Sequence, residues 1–360
     1  MQKILTIVGA RPQFVKAAAL SRQFKKHGME EVLVHTGQHF DENMAEIFFT
    51  QMDIPKPKYN LGINSLSHGA MTGRMLEEIE KILFIEKPDI VVVFGDTNST
   101  LAGTLAASKL HVPVAHIEAG LRSFNMKMPE EINRILTDRV SDILFCPTQT
   151  AVDNLKKEGF DNFENRVENI GDVMYDVALY YSQFSAERST LPNNIINSKK
   201  PIVLTTLHRQ ENTDDLNRLQ SIVNALNELS KQFNIVLPIH PRTKNIFEKE
   251  NIKLNFEPIE PVGYFDMIEL LKKCAFVISD SGGLQKEAFF FEKQCLIIRD
   301  ETEWTELVEL GYNFLVGAQT NLIIEKANLA LNNKIKFELK PYGNGDAAEK
   351  IALYLKQYLS

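Results

Sequence analysis

Ionisable side chains stand directly behind several short apolar runs of this 360-residue chain. Asp96 follows "VVVFG", Glu118 follows "PVAHI" and His208 follows "VLTTL". Carboxylates and imidazoles can take a proton from a bound ligand and return it, provided that the fold brings them to that ligand. Open parallel sheets bind ligands at the carboxyl ends of their strands. We therefore expect general acid/base chemistry at that edge.

Eight residues with ionisable side chains stand just behind predicted strands in both halves of the chain. These residues are Arg11, His39, Asp96, Glu118, His208, His240, Asp280 and Arg299. One such residue would mean little, but eight of them indicate a cleft lined with charged and polar groups.

The segment "SDSGGLQKEA" is typical of a phosphate site. A predicted strand ends just before it, Gly282 and Gly283 permit close approach to the backbone, and a helix follows. Free N–H groups at a helix start suit a diphosphate, and Glu287 could accept hydrogen bonds from ribose hydroxyls. The alternative is a simple glycine-rich turn with a solvated Glu287. No GxGxxG follows a strand, so we predict no NAD cofactor.

Each candidate acid or base also has a structural alternative. Asp96 could cap the helix that begins just after it. Glu118 must either pair with a cation or be functional, because a lone charge in an apolar strand is costly. His208 could be a satisfied structural histidine.

The segment "MPEEINRILTDRV" predicts a helix with Pro129 in its first turn. One of the two acids that follow, Glu130 or Glu131, could serve only the helix dipole. The apolar positions predict the buried stripe of this helix, which consists of Ile132, Ile135, Leu136 and Val140.

Composition and spacing exclude other classes of function. No histidine pair has HExxH spacing, so we expect no metal. The net charge of −7 argues against general affinity for nucleic acid, and no apolar run approaches the ~20 residues of a membrane span. Cys146, Cys274 and Cys295 lack metal-ligand spacing and fit buried, reduced thiols of a cytoplasmic protein.

The elements that must position these side chains alternate between apolar strand-like and longer amphipathic segments. This alternation indicates an α/β protein with doubly wound parallel sheets. The predicted strands lie in "KILTIVG", "EVLVHTG", "DIVVVFGD", "VPVAHIEAG", "DILFCPT", "PIVLTTLH", "FNIVLPIH", "FVISDSGG", "CLIIRD" and "FLVG". The chain is too long for one core, so we predict two domains facing each other across a cleft. The polar stretch from Tyr181 to Lys200 is predicted to be a linker or surface loop.

In this order, the motifs resemble the non-hydrolysing UDP-N-acetylglucosamine 2-epimerases. The resemblance covers nearly the whole chain and is carried by "GARPQFVK", "HTGQHFD", "GDTNSTLAG", "HIEAGLRSF", "MPEEINR", "LHRQEN", "SDSGGLQKEA" and "RDETEW". It implies a glycosyltransferase-B-like architecture of two Rossmann-like domains, UDP-sugar and UDP as ligands, and a homodimer. The implied domains are residues 1–170 and 171–345, with a helix at 346–360 that crosses back to the first.

The resemblance also implies a mechanism, in which the proton at C2 of the sugar leaves with UDP and a 2-acetamidoglycal remains. Readdition of UDP with protonation on the opposite face inverts C2. The implied catalytic residues are Asp96, Glu118, Glu130 and His208. The implied nucleotide contacts are Arg11, His240, Ser281, Gly282, Gly283 and Glu287. We predict further substrate contacts at Gln13, Lys16, His39, Arg122, Glu131, Arg209 and Arg299.

Within this family the chain looks most similar to enzymes acting on UDP-2,3-diacetamido-2,3-dideoxyglucuronate, which form the manno epimer for O-antigen or capsule. The segments that carry this likeness are "RPQFVK", "HTGQHFDENMAEIFF", "AGLRSFNMKMPEEINRILTDRVSDILFCPT" and "RDETEWTELVE". The alternative substrate is UDP-N-acetylglucosamine, giving UDP-N-acetylmannosamine. A glycosyltransferase of the same architecture, a hydrolysing epimerase and a non-catalytic UDP-sugar sensor are further alternatives.

Gln13 bears on this choice of substrate. A neutral side chain one helical turn from Lys16 would not repel a sugar carboxylate, whereas an acidic one would. The hypothesis predicts that Gln13→Glu lowers activity on the uronate more than on UDP-N-acetylglucosamine. The alternative is that Gln13 is ordinary variation on a helix surface.

Overall fold

The computed structural model describes residues 1–38, 55–332 and 335–360, with the side chain of Arg11 outside the description. The chain divides into two compact units. Unit 1 consists of Met1–Val177 and Lys340–Ser360, and unit 2 consists of Ala178–Leu339.

Unit 1 is built on a parallel sheet of seven described strands. The strands are β1 Lys3–Val8, β2 Glu30–His35, β3 Tyr59–Asn60, β4 Ile90–Phe94, β5 Val114–Ile117, β6 Ile143–Cys146 and β7 Arg166–Asn169. Their order is β3-β2-β1-β4-β5-β6-β7. The direction of winding reverses between β1 and β4, which is where open α/β sheets bind ligands.

Helices cover both faces of this sheet, which explains the near-continuous apolar character of its strands. They are α1 Arg11–Lys26, α2 His68–Glu86, α3 Asn98–Lys109, α4 Pro129–Val140, α5 Gln149–Lys157 and, after unit 2 in sequence, α16 Ala347–Tyr358. A further helix, α6 Val173–Ser182, contains the boundary between the two units at Val177. Met75 and Ile79 of α2 pack with Leu5 and Ile7 of β1 in one core cluster.

The C-terminal helix α16 packs against α1 within unit 1. Lys26 of α1 forms an ion pair of 2.7 Å with Glu349 of α16. The carboxylate of Asp176 accepts hydrogen bonds from the backbone N–H groups of Ala347 and Ala348 at 3.1 and 2.8 Å. These bonds satisfy two of the free donors at the start of α16.

Unit 2 contains a second parallel sheet, of five described strands. The strands are β8 Ile202–Thr206, β9 Asn234–Val236, β10 Phe276–Ser279, β11 Cys295–Ile297 and β12 Asn313–Leu315. Their order is β12-β11-β10-β8-β9, so this sheet reverses its winding between β8 and β10.

The helices of unit 2 cover both faces of its sheet. They are α7 Ser185–Arg188, α8 Asn193–Ile196, α9 Gln210–Thr213, α10 Leu216–Leu229, α11 Pro241–Lys249, α12 Tyr264–Lys273, α13 Gly282–Phe290, α14 Thr305–Glu309 and α15 Thr320–Asn332. Leu219 and Leu226 of α10 belong to one core cluster, and Leu270 of α12 and Leu284 of α13 belong to another.

The structure confirms the α/β class, the parallel sheets and all ten predicted strands. Cys146, Cys274 and Cys295 are free and buried, as predicted. Within the described ranges, every helix is too short or too polar to span a lipid bilayer.

The prediction of a linker or surface loop from Tyr181 to Lys200 is wrong in its first half. Tyr181 and Ser185 are buried, and α7 lies in this half of the stretch. Acids of α12 bind it, since Glu269 accepts a hydrogen bond of 2.6 Å from Ser185 Oγ and Asp266 accepts one of 2.7 Å from Ser189 Oγ. Ser185 and Ser189 are therefore polar because they bind these acids, whereas residues 186–188 between them are exposed.

Candidate active-site residues

Glu118 lies at the carboxyl edge of the unit 1 sheet, directly behind β5. Its backbone is in the left-handed region, with φ of 68°, and its carboxylate forms an ion pair with the ammonium of Lys16 from α1. Both side chains are about nine-tenths buried, at 9% and 10% exposure. The carboxylate of Glu118 also lies close to Gly95. A Cβ at position 95 would be only 3.3 Å from Glu118 Oε2, so glycine leaves room for the carboxylate. The predicted cationic partner of Glu118 is therefore present.

Asp96 follows β4, the neighbour of β5, and forms an ion pair with Arg134 of α4. The N-cap of α3 is Thr97, whose hydroxyl accepts a hydrogen bond from the backbone N–H of Thr100. The capping alternative for Asp96 is therefore wrong, because the next residue already occupies the cap. The side chain of Asp96 remains 31% exposed, so a ligand can reach it.

Glu130 and Glu131 differ sharply in environment. Glu131 is 1% exposed and accepts hydrogen bonds of 2.9 Å from the backbone N–H groups of Ser123 and Phe124. It also accepts a hydrogen bond of 3.0 Å from Arg134. Glu130, by contrast, is exposed. The geometry favours Glu131 as the residue that holds the 123–124 turn and Glu130 as the acid that can meet a ligand.

The predicted buried stripe of α4 is wrong. Ile132 and Leu136 are 41% and 45% exposed, whereas the buried residues of α4 are Glu131, Asn133, Thr137 and Asp138. The polar face turns inward because it holds neighbouring loops by hydrogen bonds. Among these bonds, Asn133 Nδ2 donates to the backbone oxygen of Asp96 at 2.9 Å.

His116 connects the loops that carry Asp96 and Glu118. Its ring is fully buried, with Nε2 at 2.8 Å from the backbone oxygen of Gly95 and Nδ1 at 2.7 Å from Oδ1 of Asp138. The same Asp138 accepts a hydrogen bond of 2.7 Å from Arg122 Nη1. This buried set therefore ties the β4 and β5 loops to α4.

Arg122 is buried within this set, and its predicted contact with substrate stays a prediction. Its Nε and Nη2 donate to Glu158 at 2.6 and 2.8 Å, and its Nη1 donates to Leu121 O at 2.7 Å. Burial alone would lower the pKa of Arg122, but the hydrogen bonds to Glu158 and Asp138 raise it above its ordinary value. These contacts favour a structural role for its guanidinium.

Gln13 is 3% exposed, so the helix-surface alternative is wrong. Its Oε1 accepts hydrogen bonds from the backbone N–H groups of Gly9 and Ala10 at 2.8 and 3.0 Å. Its Nε2 donates to the backbone oxygen of Phe94 at 2.6 Å. Gln13 therefore joins the loop after β1 to the end of β4 at the switch point of the sheet.

In unit 2, His208 and Asp280 follow the neighbouring strands β8 and β10. Nδ1 of His208 lies 3.1 Å from Oδ1 of Asp280, which is fully buried. Burial alone would raise the pKa of Asp280, but the His208 ring beside it and the backbone N–H groups of Arg209 and His208 hold that pKa below its usual range. The imidazole of His208 itself is 41% exposed.

Helix α13 begins where the phosphate motif predicted a helix. Ser281 is its N-cap and accepts a hydrogen bond from the backbone N–H of Leu284. A Cβ at Gly282 would meet only ordinary contacts, the shortest being 3.5 Å to Glu303, and one at Gly283 would meet no described atom within 4 Å. Neither glycine has a positive φ, so the chain itself does not require glycine at 283.

Two further predicted contacts lie near this helix. Burial raises the pKa of Glu287 in α13 to about 7. Nη2 of Arg209 would lie 3.9 Å from a Cβ at Gly282, so its guanidinium is close to the start of α13. A charged ligand at this helix start could therefore contact Arg209.

Arg299 and His240 have partners within unit 2. Arg299 is 5% exposed and donates to Glu303 at 2.9 Å and to Glu211 at 3.2 Å. His240 is the N-cap of α11, where its Nδ1 accepts a hydrogen bond of 3.3 Å from the backbone N–H of Arg242. The roles proposed for Lys16, Arg209, His240 and Arg299 toward substrate stay predictions.

His39 lies outside the described residues, as does the side chain of Arg11. Sequence reasoning missed Arg134 and Asp138, which pair with Asp96 and His116. Arg134 stands three residues after Glu131 on the same helix face, and this spacing could have indicated it. Asp138 had no such signal, because its partner His116 is 22 residues away in the sequence.

A family model described as UDP-N-acetylglucosamine 2-epimerase matches residues 22–356 of the chain. The chain belongs to this family. The epimerase is 57% identical over 357 residues to the UDP-2,3-diacetamido-2,3-dideoxy-D-glucuronate 2-epimerase of Pseudomonas aeruginosa, covering 98% of this chain and 99% of the relative.

Solved structures of epimerases share the fold. The Methanocaldococcus jannaschii UDP-GlcNAc 2-epimerase, in complex with UDP-GlcNAc and UDP, matches with a TM-score of 0.83 and 42% identity over 99% of this chain and 100% of that one. The Neisseria meningitidis UDP-GlcNAc 2-epimerase, bound to UDP-GlcNAc, matches with a TM-score of 0.83 and 31% identity at the same coverage of both chains. The predicted glycosyltransferase-B-like class is confirmed, and the epimerase is an isomerase that acts on a UDP-sugar.

Proposed function

We propose that this epimerase inverts C2 of UDP-2,3-diacetamido-2,3-dideoxy-D-glucuronate, converting the gluco to the manno epimer. The observation that carries this choice is the 57% identity to the Pseudomonas aeruginosa enzyme named for that substrate. A relative named for UDP-N-acetylglucosamine, from Methanocaldococcus jannaschii, is 43% identical over a similar span. UDP-N-acetylglucosamine is therefore the alternative substrate.

The start of α13 is the proposed site for the diphosphate. Its first N–H groups and helix dipole favour negative charge, and Arg209 lies close to Gly282. A Cβ at Gly283 would meet no described atom within 4 Å. A diphosphate bound in that space would explain why a glycine stands at a position where the fold of the chain would tolerate a side chain. Glu287 would accept hydrogen bonds from the ribose hydroxyls.

The reaction needs one group to remove the proton at C2 and another to return it on the opposite face. We assign these tasks to the carboxylates of Asp96, Glu118 and Glu130. As the C2–H bond breaks, the electron pair forms the C1–C2 double bond and the C1–O bond breaks, so UDP leaves with its electron pair. Readdition of UDP at C1 with protonation of C2 completes the inversion, and no redox cofactor is consumed.

His208 is assigned to the departing diphosphate. Because the C2 proton is not adjacent to a carbonyl, stabilising the leaving group must supply much of the barrier reduction. A half-exposed imidazole supported by a buried carboxylate suits that task. We expect neither NAD nor a metal to be required, and activity in the presence of EDTA tests this expectation.

Proton NMR of the enzyme with each UDP-sugar in D2O tests the proposal. Epimerisation of the diacetamidouronate with deuterium entering C2, at a kcat/KM at least tenfold above that for UDP-N-acetylglucosamine, would support it. The opposite preference would establish the alternative substrate. Accumulation of free UDP would indicate hydrolysis, and turnover only with an added acceptor would indicate a glycosyltransferase. Binding without any exchange would indicate a sensor.

We further propose a cytoplasmic homodimer that supplies a precursor for O-antigen or capsule. The family resemblance supports these points. Light scattering of the purified protein tests the dimer, and deletion of the gene followed by analysis of the surface polysaccharide tests the role.

A further inference from the structure

The strands β8 and β10 lie side by side in the unit 2 sheet, with Thr206 paired to Ser279. The winding of the sheet reverses between them. His208 and Asp280 follow these two strands by two residues and one residue, so the fold brings them to the same edge. This edge is the ligand-binding position of an open α/β sheet.

One oxygen of Asp280 fixes the backbone that carries His208. Oδ2 accepts hydrogen bonds of 2.9 Å from the backbone N–H groups of His208 and Arg209. It also lies 3.3 Å from Nδ2 of Asn212, whose other hydrogen bond, of 2.8 Å, goes to Ile298 O. These contacts connect the turn after β8 to Ile298, the residue that follows β11.

The other oxygen faces the ring of His208. Oδ1 of Asp280 is buried, accepts no hydrogen bond of good geometry among the described residues, and lies 3.1 Å from Nδ1 of His208. A buried carboxylate oxygen is costly without a donor. Nδ1 of His208 is the polar atom beside this oxygen, so a proton on Nδ1 would satisfy it after a small rotation of the ring.

In a neutral imidazole ring that is protonated on Nδ1, Nδ1 is the hydrogen-bond donor and Nε2 is the acceptor. In the neutral imidazole, Nε2 then carries the lone pair, and this nitrogen belongs to the side of the ring that faces away from Asp280. Buried carboxylates set the tautomer and orientation of a functional histidine in this way in other enzymes.

We infer that Asp280 is a positioning residue that holds His208 in a single orientation with Nδ1 protonated, so that Nε2 meets the ligand. This inference rests on the proposed function for the role of His208 in turnover, but the tautomer itself does not depend on that role. Asp280 does not touch the substrate in this account.

The variant Asp280→Asn tests the inference. The asparagine oxygen can still accept the backbone hydrogen bonds, whereas its NH2 group would face Nδ1 and favour the lone pair on that nitrogen. The matched control is Asp266→Asn. Asp266 is also a buried unit 2 carboxylate that accepts a backbone hydrogen bond, from Thr190 at 2.6 Å, and its described hydrogen bonds go to Ser189 and Thr190.

The first measurement is the 15N chemical shifts of the imidazole nitrogens in the ligand-free protein, with His208 assigned by its loss in His208→Gln. We expect the Nδ1-protonated tautomer in the wild type and in Asp266→Asn, and the Nε2-protonated tautomer in Asp280→Asn. A wild-type ring protonated on Nε2 would overturn the inference, and this result needs no variant to fold.

The second measurement is steady-state kinetics on the UDP-sugar that the wild type turns over. We expect kcat of Asp280→Asn to fall at least 100-fold with KM changed less than threefold, and Asp266→Asn to stay within threefold of the wild type in both. Equal losses of kcat in the two variants would overturn the inference, because they would indicate general damage to unit 2. A wild type that turns over neither UDP-sugar but shows the expected tautomers would contradict the proposed function and leave the positioning of His208 supported.

Discussion

The side-chain amide of Gln13 donates a hydrogen bond of 2.6 Å to the backbone oxygen of Phe94, 81 residues further along the chain. The bond joins the start of α1 to the end of β4, the strand before Asp96. Nε2 also lies 3.0 Å from the hydroxyl oxygens of Thr97 and Thr100. Gln13 is thus a buried connector between two loops of the candidate site.

This geometry changes the outcome expected for Gln13→Glu. A carboxylate cannot donate to Phe94 O, so the variant places two acceptors against each other and should lose about 1–3 kcal/mol of stability. We expect equal losses of activity on the two UDP-sugars, in contrast to the selective loss that the sequence hypothesis predicts. Chemical denaturation and kinetics with both substrates measure the two effects.

The control for Gln13→Glu is Gln220→Glu, at an exposed position of α10. It should change the free energy of unfolding by less than about 0.5 kcal/mol. A stable Gln13→Glu enzyme with a loss confined to the uronate would restore the specificity hypothesis.

The strands could be predicted because each is an unbroken run of β-branched and apolar residues that two helical layers cover. The face of α4 could not be predicted from its own residues. Periodicity assigns Ile132 and Leu136 to the core, but Glu131, Asn133 and Asp138 have partners on other loops, and those partners turn the polar face inward.

In the candidate site, too, local features could be predicted from the sequence and long-range contacts could not. Its ionisable residues could be found because they follow strands, a feature that is local in sequence. Their partners could not, since Lys16 meets Glu118 across 102 residues and Arg134 meets Asp96 across 38. Only the sheet order, which depends on packing of the whole unit, brings these pairs together.

Gly283→Ala should separate stability from ligand binding. Alanine favours a helix over glycine by up to about 1 kcal/mol, and a Cβ at this position meets no described atom within 4 Å. We expect the variant to be as stable as the wild type or more so. The affinity for UDP should fall at least tenfold, because the Cβ would occupy the space proposed for the diphosphate.

Thermal unfolding and isothermal titration with UDP measure these two effects of Gly283→Ala. The matched control is Gly73→Ala in α2, where a Cβ would likewise meet no described atom within 4 Å. It should gain stability without loss of UDP affinity. Unchanged binding of UDP by Gly283→Ala would remove this helix start from the proposed site.

Glu130→Gln and Glu131→Gln form a matched pair on one helix turn. Glu130 is exposed, so its loss of charge should leave stability within about 0.5 kcal/mol and lower kcat by roughly 100-fold or more, as expected for a general acid or base. Glu131 accepts hydrogen bonds from Ser123 and Phe124 in a buried position. Its variant should lose about 1–3 kcal/mol of stability.

Urea denaturation and initial rates at saturating substrate distinguish the two glutamates. A stable Glu131→Gln enzyme without activity, beside an active Glu130→Gln enzyme, would exchange their assigned roles.

Glu86 should make the stability of unit 1 sensitive to acid. Hydrogen bonds from Lys3, Lys58 and Tyr59 lower the pKa of this carboxyl to about 2; the two ammonium groups each lie 2.7 Å away. Since the pKa is lower in the folded state, the ionised group stabilises the fold above its ordinary pKa of 4.5. That contribution is lost as the pH falls from this value toward 2.

Glu86→Gln should therefore lower the free energy of unfolding at pH 7 by about 1 kcal/mol, a value that allows for the solvent around Lys58. The difference from the wild type should shrink below pH 4.5 and vanish near pH 2. Glu349→Gln, which breaks the exposed pair with Lys26, is the control and should leave the free energy of unfolding close to that of the wild type at every pH. Urea denaturation of the three proteins between pH 3 and pH 7 measures the effect, and a difference for Glu86→Gln that stays constant over this range would contradict the ionic role of Glu86.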